Sequence, residues 1–346
     1  MKRSEWIDSC RFLAIFVIMV THFIAAVRPD VLELWITPPS SWLLYGLTGK
    51  FSVAFFFVLL GYFASKPVEF NIKRFASYTV RRYLQFAFYI FVCTSVFILG
   101  SYAVTWLFHT PEGSVLQVIS DGLQYNLIYL LRDSFLFEDN YNATLWCMQQ
   151  LFVASLVCKV LGFIPERYSV FWRLVFSVLL IAALLLLDAG FFVWVCAAVL
   201  GYILRLCLDG FSCFSNKAFV PVSLAIALVL IKLKLDEGVL QYSLQSIAAF
   251  LLIFAQFRLP TIQDILSTPP LPWLGGISMG LFVTHTPVNA LLYASVYPIL
   301  LRSLSETMAQ FIYFIVSLSI CIFSSWLLAK TYSAVTRLTR KETVKT

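Results

Sequence analysis

Apolar residues form long runs along this chain, separated by short polar connections. An α-helix rises 1.5 Å per residue, so about 20 apolar residues cross the hydrocarbon core of a bilayer. On that criterion the pattern predicts an all-α polytopic membrane protein with about ten transmembrane helices. The predicted spans are residues 7–27, 43–65, 83–108, 143–163, 171–187, 190–206, 218–235, 240–257, 272–293 and 309–329.

The predicted spans fill most of the chain, and no Gly/Ser linker, internal repeat or long polar tail separates them. The sequence therefore predicts a single membrane domain over residues 1–346, without a soluble catalytic appendage. Composition agrees with this, because 60% of the 346 residues are hydrophobic and only 12% are charged. One soluble core would not hide that much apolar surface.

The net charge of +7 raises the question of a nucleic-acid partner, but the distribution of Lys and Arg favours a topological role. Basic residues concentrate on alternate connections, as the positive-inside rule predicts when both termini are cytoplasmic. The densest stretch, residues 66–82, contains Lys66, Lys73, Arg74, Arg81 and Arg82. It anchors the chain to anionic membrane lipid, binds the phosphates of a cytosolic anionic donor, or does both. No nucleic-acid partner is expected.

The eight cysteines are scattered without metal-ligand spacing, so we expect small packing residues and neither disulfides nor a metal site. The predicted outer connection, residues 109–142, contains apolar residues at helical spacing from Leu116 to Leu130. A helix there would lie on the outer leaflet or form one wall of a substrate groove. Asp188 is expected in a tight outer turn.

Ionisable residues inside a span are costly and usually functional. The first span contains Asp8, Arg11 and His22. Eleven positions separate Arg11 from His22, which places both side chains on one helix face about 16 Å apart along the axis. Arg11 either extends to the inner interface or binds an anionic donor, with Asp8 orienting its guanidinium. His22 either hydrogen-bonds a neighbouring helix or acts as a general base.

A second histidine, His285, lies in the span predicted over residues 272–293. Rise per residue places His22 and His285 at similar depths, which favours a shared site if their helices adjoin. The third histidine, His109, is expected to be solvated. Gln149, Gln150 and Asn289 either join helices or bind substrate hydroxyls, and we favour the first interpretation.

Five segments of the chain resemble the membrane acyltransferase 3 family. The first is WIDSCRFLAIFVIMVTHF, in which Asp8, Arg11 and His22 stand at the spacing of the family's first span. The others are KFSVAFFFVLLGYF, the basic pair Arg81 and Arg82, Trp146 in TLWCMQQLF, and LGGISMGLFVTHTP, which contains Ser278 and His285. The sequence departs from the family pattern at Leu60, usually Ser, at Phe282, usually Tyr, and at Gln149 or Gln150, near a position that is often acidic.

This resemblance implies transfer of an acyl group, usually acetyl, from cytosolic acetyl-CoA to a hydroxyl of a bacterial surface polysaccharide or its lipid-linked precursor. It implies a multi-pass protein of the bacterial cytoplasmic membrane, with acetyl-CoA as co-substrate, no tightly bound cofactor, and polysaccharide-assembly proteins as partners. The implied catalytic residues are His22, Arg11 and His285. The implied donor- and substrate-binding residues are Asp8, Arg74, Arg81, Arg82, Trp146 and Ser278.

Two other classes of function compete with this interpretation. One is a transporter or flippase for a glycan precursor, which would favour helices broken near mid-membrane and repeated in two halves. Pro260, Pro269, Pro270 and Pro272 instead cluster in one predicted cytoplasmic loop, without internal duplication. The other is a catalytically silent member of a polysaccharide-assembly complex, in which loss of the histidines would be tolerated.

Overall fold

The computed structural model describes residues 5–27, 49–108, 115–210, 218–233 and 238–343. Those ranges are helical and contain no strand, which confirms the all-α class. The start of the second predicted span at residues 43–48, the boundary histidine His109 and Cys213 lie outside the described residues.

Fourteen α-helices, numbered here along the described ranges, make up the fold. They are α1 (Glu5–Val27), α2 (Gly49–Ala64), α3 (Ile72–Phe108), α4 (Val115–Asp121), α5 (Leu123–Leu131), α6 (Met148–Leu161), α7 (Val170–Gly210), α8 (Phe219–Lys232), α9 (Val239–Gln256), α10 (Pro260–Leu266), α11 (Leu271–Gly276), α12 (Ser278–Ser295), α13 (Tyr297–Ser303) and α14 (Glu306–Thr343). A π-helical turn over Arg132–Leu136 and a 3-10 helix over Ala143–Cys147 lie between α5 and α6.

Six segments within the described ranges are long and apolar enough to cross a membrane. They are Glu5–Val27, Ile72–Phe108, Thr144–Leu161, Val170–Gly210, Val239–Gln256 and Glu306–Arg337. The shorter apolar helices α2 and α8 coincide with two further predicted spans. Helix α12 has 18 residues but is less apolar, because it carries His285, Pro287 and Asn289. The total of ten spans and the cytoplasmic termini stay predictions.

The chain divides into two compact units. Unit one comprises residues 1–21, 29–80 and 150–275, and unit two comprises residues 22–28, 81–149 and 276–346. Each is described by itself below. The single functional domain over residues 1–346 stays a prediction.

In unit one, α2 and α7 approach until their backbones touch. A Cβ added at Gly61 would lie 1.7 Å from the carbonyl oxygen of Ala198, and one added at Gly201 would lie 2.0 Å from that of Val58. Only glycine fits at these two positions. Small residues at a helix interface allow this close packing in membrane proteins, where van der Waals contact drives helix association.

Helix α7 is a hairpin of two helical halves. The backbone of Asp188 leaves the helical region at φ −161° and ψ 97°, and its Oδ1 accepts a hydrogen bond of 3.1 Å from the N–H of Phe191. The ends of the hairpin meet, because a Cβ added at Gly210 would lie 2.7 Å from a methyl group of Val170. The structure therefore confirms the tight turn at Asp188 between the spans predicted over residues 171–187 and 190–206.

In unit two, α12 packs closely against α14. A Cβ added at Gly280 would lie 2.8 Å from the Cβ of Ser325, and the hydroxyls of Thr284 and Ser325 are 3.2 Å apart. Tyr313 donates a hydrogen bond of 2.9 Å to the Asn289 carbonyl oxygen and also bonds its side-chain amide. The helix-joining role predicted for Asn289 is confirmed, and α12 is held along its length.

The segment predicted as a surface helix over residues 114–131 forms α4 and α5, which are separated at Gly122. Leu116 and Ile119 are buried against Phe97 and Ile98 of α3, so one face of α4 packs on protein. Its position at the outer leaflet stays a prediction. Elsewhere, six of the seven cysteines in the described ranges are buried, as expected of small packing residues.

Candidate active site

His285 lies on α12 and is 3% exposed. Its Nδ1 is 2.8 Å from the carbonyl oxygen of Phe282 and 3.1 Å from that of Leu281. A carbonyl oxygen only accepts, so Nδ1 carries the hydrogen in these contacts. In the neutral ring, Nε2 then keeps its lone pair. That buried nitrogen has no hydrogen-bond partner among the described residues.

His22, near the end of α1, lies beside His285 within unit two. The centroids of the two imidazole rings are 5.3 Å apart with an angle of 49° between their planes, a distance at which aromatic rings are in contact. The ring of Phe282 lies 6.0 Å from that of His285. His22 is exposed, whereas His285 is buried. The pair thus combines an accessible imidazole with a buried one whose tautomer is fixed by the backbone.

This arrangement suits proton transfer. A neutral imidazole accepts a proton through the lone pair of its unprotonated nitrogen. A hydroxyl that reaches the exposed ring would therefore meet a general base. The exposed imidazole of His22 can also act as a nucleophile that carries an acyl group.

Asp8 and Arg11 form an ion pair within unit one. Nη1 of Arg11 lies 3.0 Å from Oδ1 of Asp8. The side chain of Arg11 is 21% exposed and that of Asp8 is 11% exposed. The guanidinium carbon also lies 5.0 Å from the centroid of the Phe63 ring, in cation–π geometry. Asp8 and Phe63 therefore orient the guanidinium group of Arg11.

The Asp8 turn of α1 is fixed by α11. A Cβ added at Gly275 would lie 1.8 Å from the backbone carbonyl oxygen of Asp8, so only glycine allows this approach. The neighbouring Ser9 hydroxyl bonds the carbonyl oxygen of Leu266, at the end of α10. These contacts hold the ion pair at a defined place in unit one.

The other predicted site residues differ in exposure. Arg74 and Arg81 are exposed, and the N–H of Arg74 donates to Asn71, which caps α3. Arg82 is half-buried, with its guanidinium carbon 4.4 Å from the centroid of the Phe86 ring and Nη1 3.3 Å from Oε1 of Gln85.

Trp146 and Ser278 belong to unit two. Trp146 is 38% exposed on the 3-10 helix before α6. Ser278 is buried at the start of α12, about 10 Å before His285 and on nearly the same helix face. The structure thus pairs His22 with His285 and Asp8 with Arg11.

Sequence reasoning missed two residues that contact the helix around His285. The side-chain amide of Asn142 donates a hydrogen bond of 2.9 Å to the carbonyl oxygen of Val283. The hydroxyl of Thr144 lies 3.5 Å from the carbonyl oxygen of Phe282. The signal in the sequence was Pro287, because a proline inside a helix leaves the carbonyl four residues earlier without its usual donor.

No group of three His, Cys, Asp or Glu side chains that could hold a metal ion occurs in the described part of the chain. In comparison with known proteins, a family model described as an acyltransferase domain matches residues 4–328. No curated protein and no solved structure matches the chain.

Proposed function

The chain belongs to the acyltransferase 3 family and is a membrane acyltransferase, and from that premise we propose its reaction. It transfers an acyl group, acetyl in the first instance, from cytosolic acyl-CoA to a hydroxyl of a cell-surface polysaccharide or its lipid-linked precursor. We place it in the bacterial cytoplasmic membrane, beside polysaccharide-assembly proteins. The observation that carries the proposal is the contact of the exposed His22 with the buried His285, whose Nε2 has no hydrogen-bond partner among the described residues.

The reaction needs a base that removes the proton of the acceptor hydroxyl, and a proton for the thiolate that leaves. The histidine pair takes the proton of the acceptor hydroxyl as its oxygen attacks the thioester carbonyl. Collapse of the tetrahedral intermediate breaks the carbon–sulfur bond, and the same proton passes to the leaving thiolate. The products are an ester and the CoA thiol. The reaction needs no tightly bound cofactor.

A second form of the mechanism uses the same residues. His22 attacks the thioester carbonyl, carries the acyl group as an acyl-imidazole, and passes it to the hydroxyl in a second step. In both forms Arg11, oriented by Asp8, binds an anionic group of the donor. Arg74, Arg81 and Arg82 bind the CoA phosphates, and Trp146 and Ser278 contact the substrate.

The transporter alternative does not explain the family match, because transport requires no acyl chemistry. The decisive experiment measures labelled acetyl transfer from acetyl-CoA to the native surface glycan in membrane vesicles from the source cells. We expect His22→Ala and His285→Ala to lower the rate by about 10²–10⁴-fold at matched protein levels, the range that general acid–base catalysis contributes. His109→Ala is the control and should transfer acetyl at the unaltered rate. Retained activity in His22→Ala would refute the catalytic assignment of His22.

The two forms of the mechanism are distinguished by rapid quenching. Vesicles stripped of acceptor are mixed with labelled acetyl-CoA and quenched within one turnover. Label on the unaltered protein that is lost in His22→Ala indicates the acyl-imidazole route. Full activity without any labelled protein indicates the general-base route.

A further inference from the structure

Pro287 deprives α12 of one hydrogen bond close to His285. In an α-helix, the carbonyl oxygen of Val283 would accept from the N–H of residue 287. Proline has no N–H, and it lies inside α12 here. A backbone carbonyl in a membrane protein needs a partner, because an unsatisfied one costs free energy comparable to a lost hydrogen bond.

Asn142 supplies that partner from outside the helix. Its Nδ2 donates to the Val283 carbonyl oxygen at 2.9 Å, and the side chain is fully buried. The thiol of Cys93 lies 3.3 Å from the same oxygen, and a thiol is a much weaker donor. The amide is therefore the main replacement for the missing backbone donor.

The orientation of the Asn142 amide is fixed by Thr144. The backbone N–H of Thr144 lies 3.2 Å from Oδ1 of Asn142, and the Thr144 hydroxyl lies 2.6 Å from it. A backbone N–H only donates, so Oδ1 must face Thr144 and the NH₂ group must face Val283. The preceding residues are fixed as well, because the carboxylate of the buried Asp133 accepts from the N–H groups of Asn140 and Tyr141.

The carbonyl group of Phe282 connects the Asn142 and Thr144 contacts to His285. The carbonyl oxygen of Phe282, next to that of Val283, accepts from Nδ1 of His285 at 2.8 Å and lies 3.5 Å from the Thr144 hydroxyl. Movement of the Val283 carbonyl would therefore move the group that fixes the tautomer and direction of the His285 ring.

We propose that Asn142 is a positioning residue for acyl transfer. It holds the carbonyl that Pro287 leaves free, and through the adjacent Phe282 carbonyl it holds the imidazole of His285 in its place beside His22. The inference rests on the proposed function, since it requires that the histidine pair take part in the reaction.

The kinetic test compares Asn142→Ala with Asn126→Ala in membrane vesicles, using labelled acetyl-CoA and the native surface glycan. Asn126 is a matched control because it is another buried amide of unit two that donates to a backbone carbonyl, that of Ile119, at 2.9 Å. We expect Asn142→Ala to lower the maximal rate by about tenfold or more with an unchanged apparent KM for acetyl-CoA, because a misplaced catalytic group loses rate without losing donor binding. Asn126→Ala should keep its maximal rate per folded protein.

A second test uses Pro287→Ala, which restores an N–H to α12. Asn142→Ala should lower the Tm by about 2–4 °C when Pro287 is present, and clearly less in the Pro287→Ala background, where the restored N–H supplies the missing donor. This comparison needs no turnover, so it remains informative if Pro287→Ala is inactive. Equal Tm losses in both backgrounds would overturn the proposed role of Pro287.

The outcomes separate this inference from the proposed function. If Asn142→Ala keeps its maximal rate while His285→Ala loses it, the inference fails and the proposed function stands. If both variants keep full activity, the catalytic assignment of the histidine pair fails. If Asn126→Ala loses as much maximal rate as Asn142→Ala, the effect is general to buried amides and the positioning role is refuted.

Discussion

Alanine substitutions at the two adjacent glycines that end α11 test whether close packing of α11 positions Asp8 and Arg11. A Cβ added at Gly275 would lie 1.8 Å from the backbone carbonyl oxygen of Asp8, whereas one added at Gly276 meets nothing within 4 Å. Ordinary contact begins at 3.4 Å, so Gly275→Ala must separate the two backbones by about 1.6 Å. Backbone atoms cannot relieve this overlap by changing rotamer.

Overpacking of this kind costs about 1–3 kcal/mol, and the helix preference for Ala offsets at most about 1 kcal/mol of it. We therefore expect Gly275→Ala to lower the free energy of unfolding by about 2 kcal/mol, whereas Gly276→Ala should leave it unchanged or raise it by about 0.4–1 kcal/mol. Because α11 contacts the turn that carries the ion pair, acetyl transfer should fall by up to about 10²-fold in Gly275→Ala.

Two measurements check this prediction on the purified full-length protein and on vesicles. Thermal unfolding in detergent gives the stability difference between the two variants, and labelled acetyl transfer gives the difference in activity. If Gly275→Ala and Gly276→Ala have equal Tm and equal activity, the close approach of α11 to Asp8 is refuted. A stability loss without any activity loss would instead separate this contact from the function of Arg11.

Two further predictions concern ion pairing and pH. Asp8→Ala and Arg11→Ala should each raise the apparent KM for acetyl-CoA, because each removes one partner of the partly buried ion pair. In the double variant, the free-energy changes obtained from KM should differ from the sum of the single effects by about 1–3 kcal/mol. Additive effects would contradict this prediction. Burial raises the pKa of the Asp133 carboxyl, so the folded protein binds its proton more readily than the unfolded chain. The free energy of unfolding should therefore fall as pH rises from the unfolded pKa, about 3.9, through the raised folded pKa, and Asp133→Asn should remove that component. Unfolding midpoints of both proteins between about pH 4 and 7 test it, and identical profiles would refute it.

The sequence was sufficient for features that depend on neighbours along one helix. Asp8 and Arg11 lie three positions apart, and helix geometry alone brings such side chains together. The apolar runs predicted the helices and the turn at Asp188 because burial of apolar surface and backbone hydrogen bonding leave few alternatives in a bilayer. Helix α12 is the difficult case, since its polar residues lower the hydropathy that identifies a span.

Contacts between distant segments could not be predicted in this way. Asn142 and Val283 are 141 positions apart, and nothing local to either residue specifies the partner. Pro287 reveals that a carbonyl lacks its donor but not which side chain replaces it. Gly275 and Gly276 are equivalent in the sequence, and only the packing of α11 on Asp8 distinguishes them.

The hairpin of α7 has a consequence for the biosynthesis of the protein. Its halves satisfy their own backbone hydrogen bonds, and the exposed Asp188 binds the N–H of Phe191 at the turn. Only 11% of its most apolar 18-residue stretch is buried inside the protein, so most of that stretch is available for contact with lipid. The two halves of α7 also pack against each other, as the contact between Val170 and Gly210 shows. The nascent chain can therefore leave the insertion machinery as a finished pair of spans before α8 and α9 are synthesised, and the later helices of unit one assemble against a partner already in the bilayer.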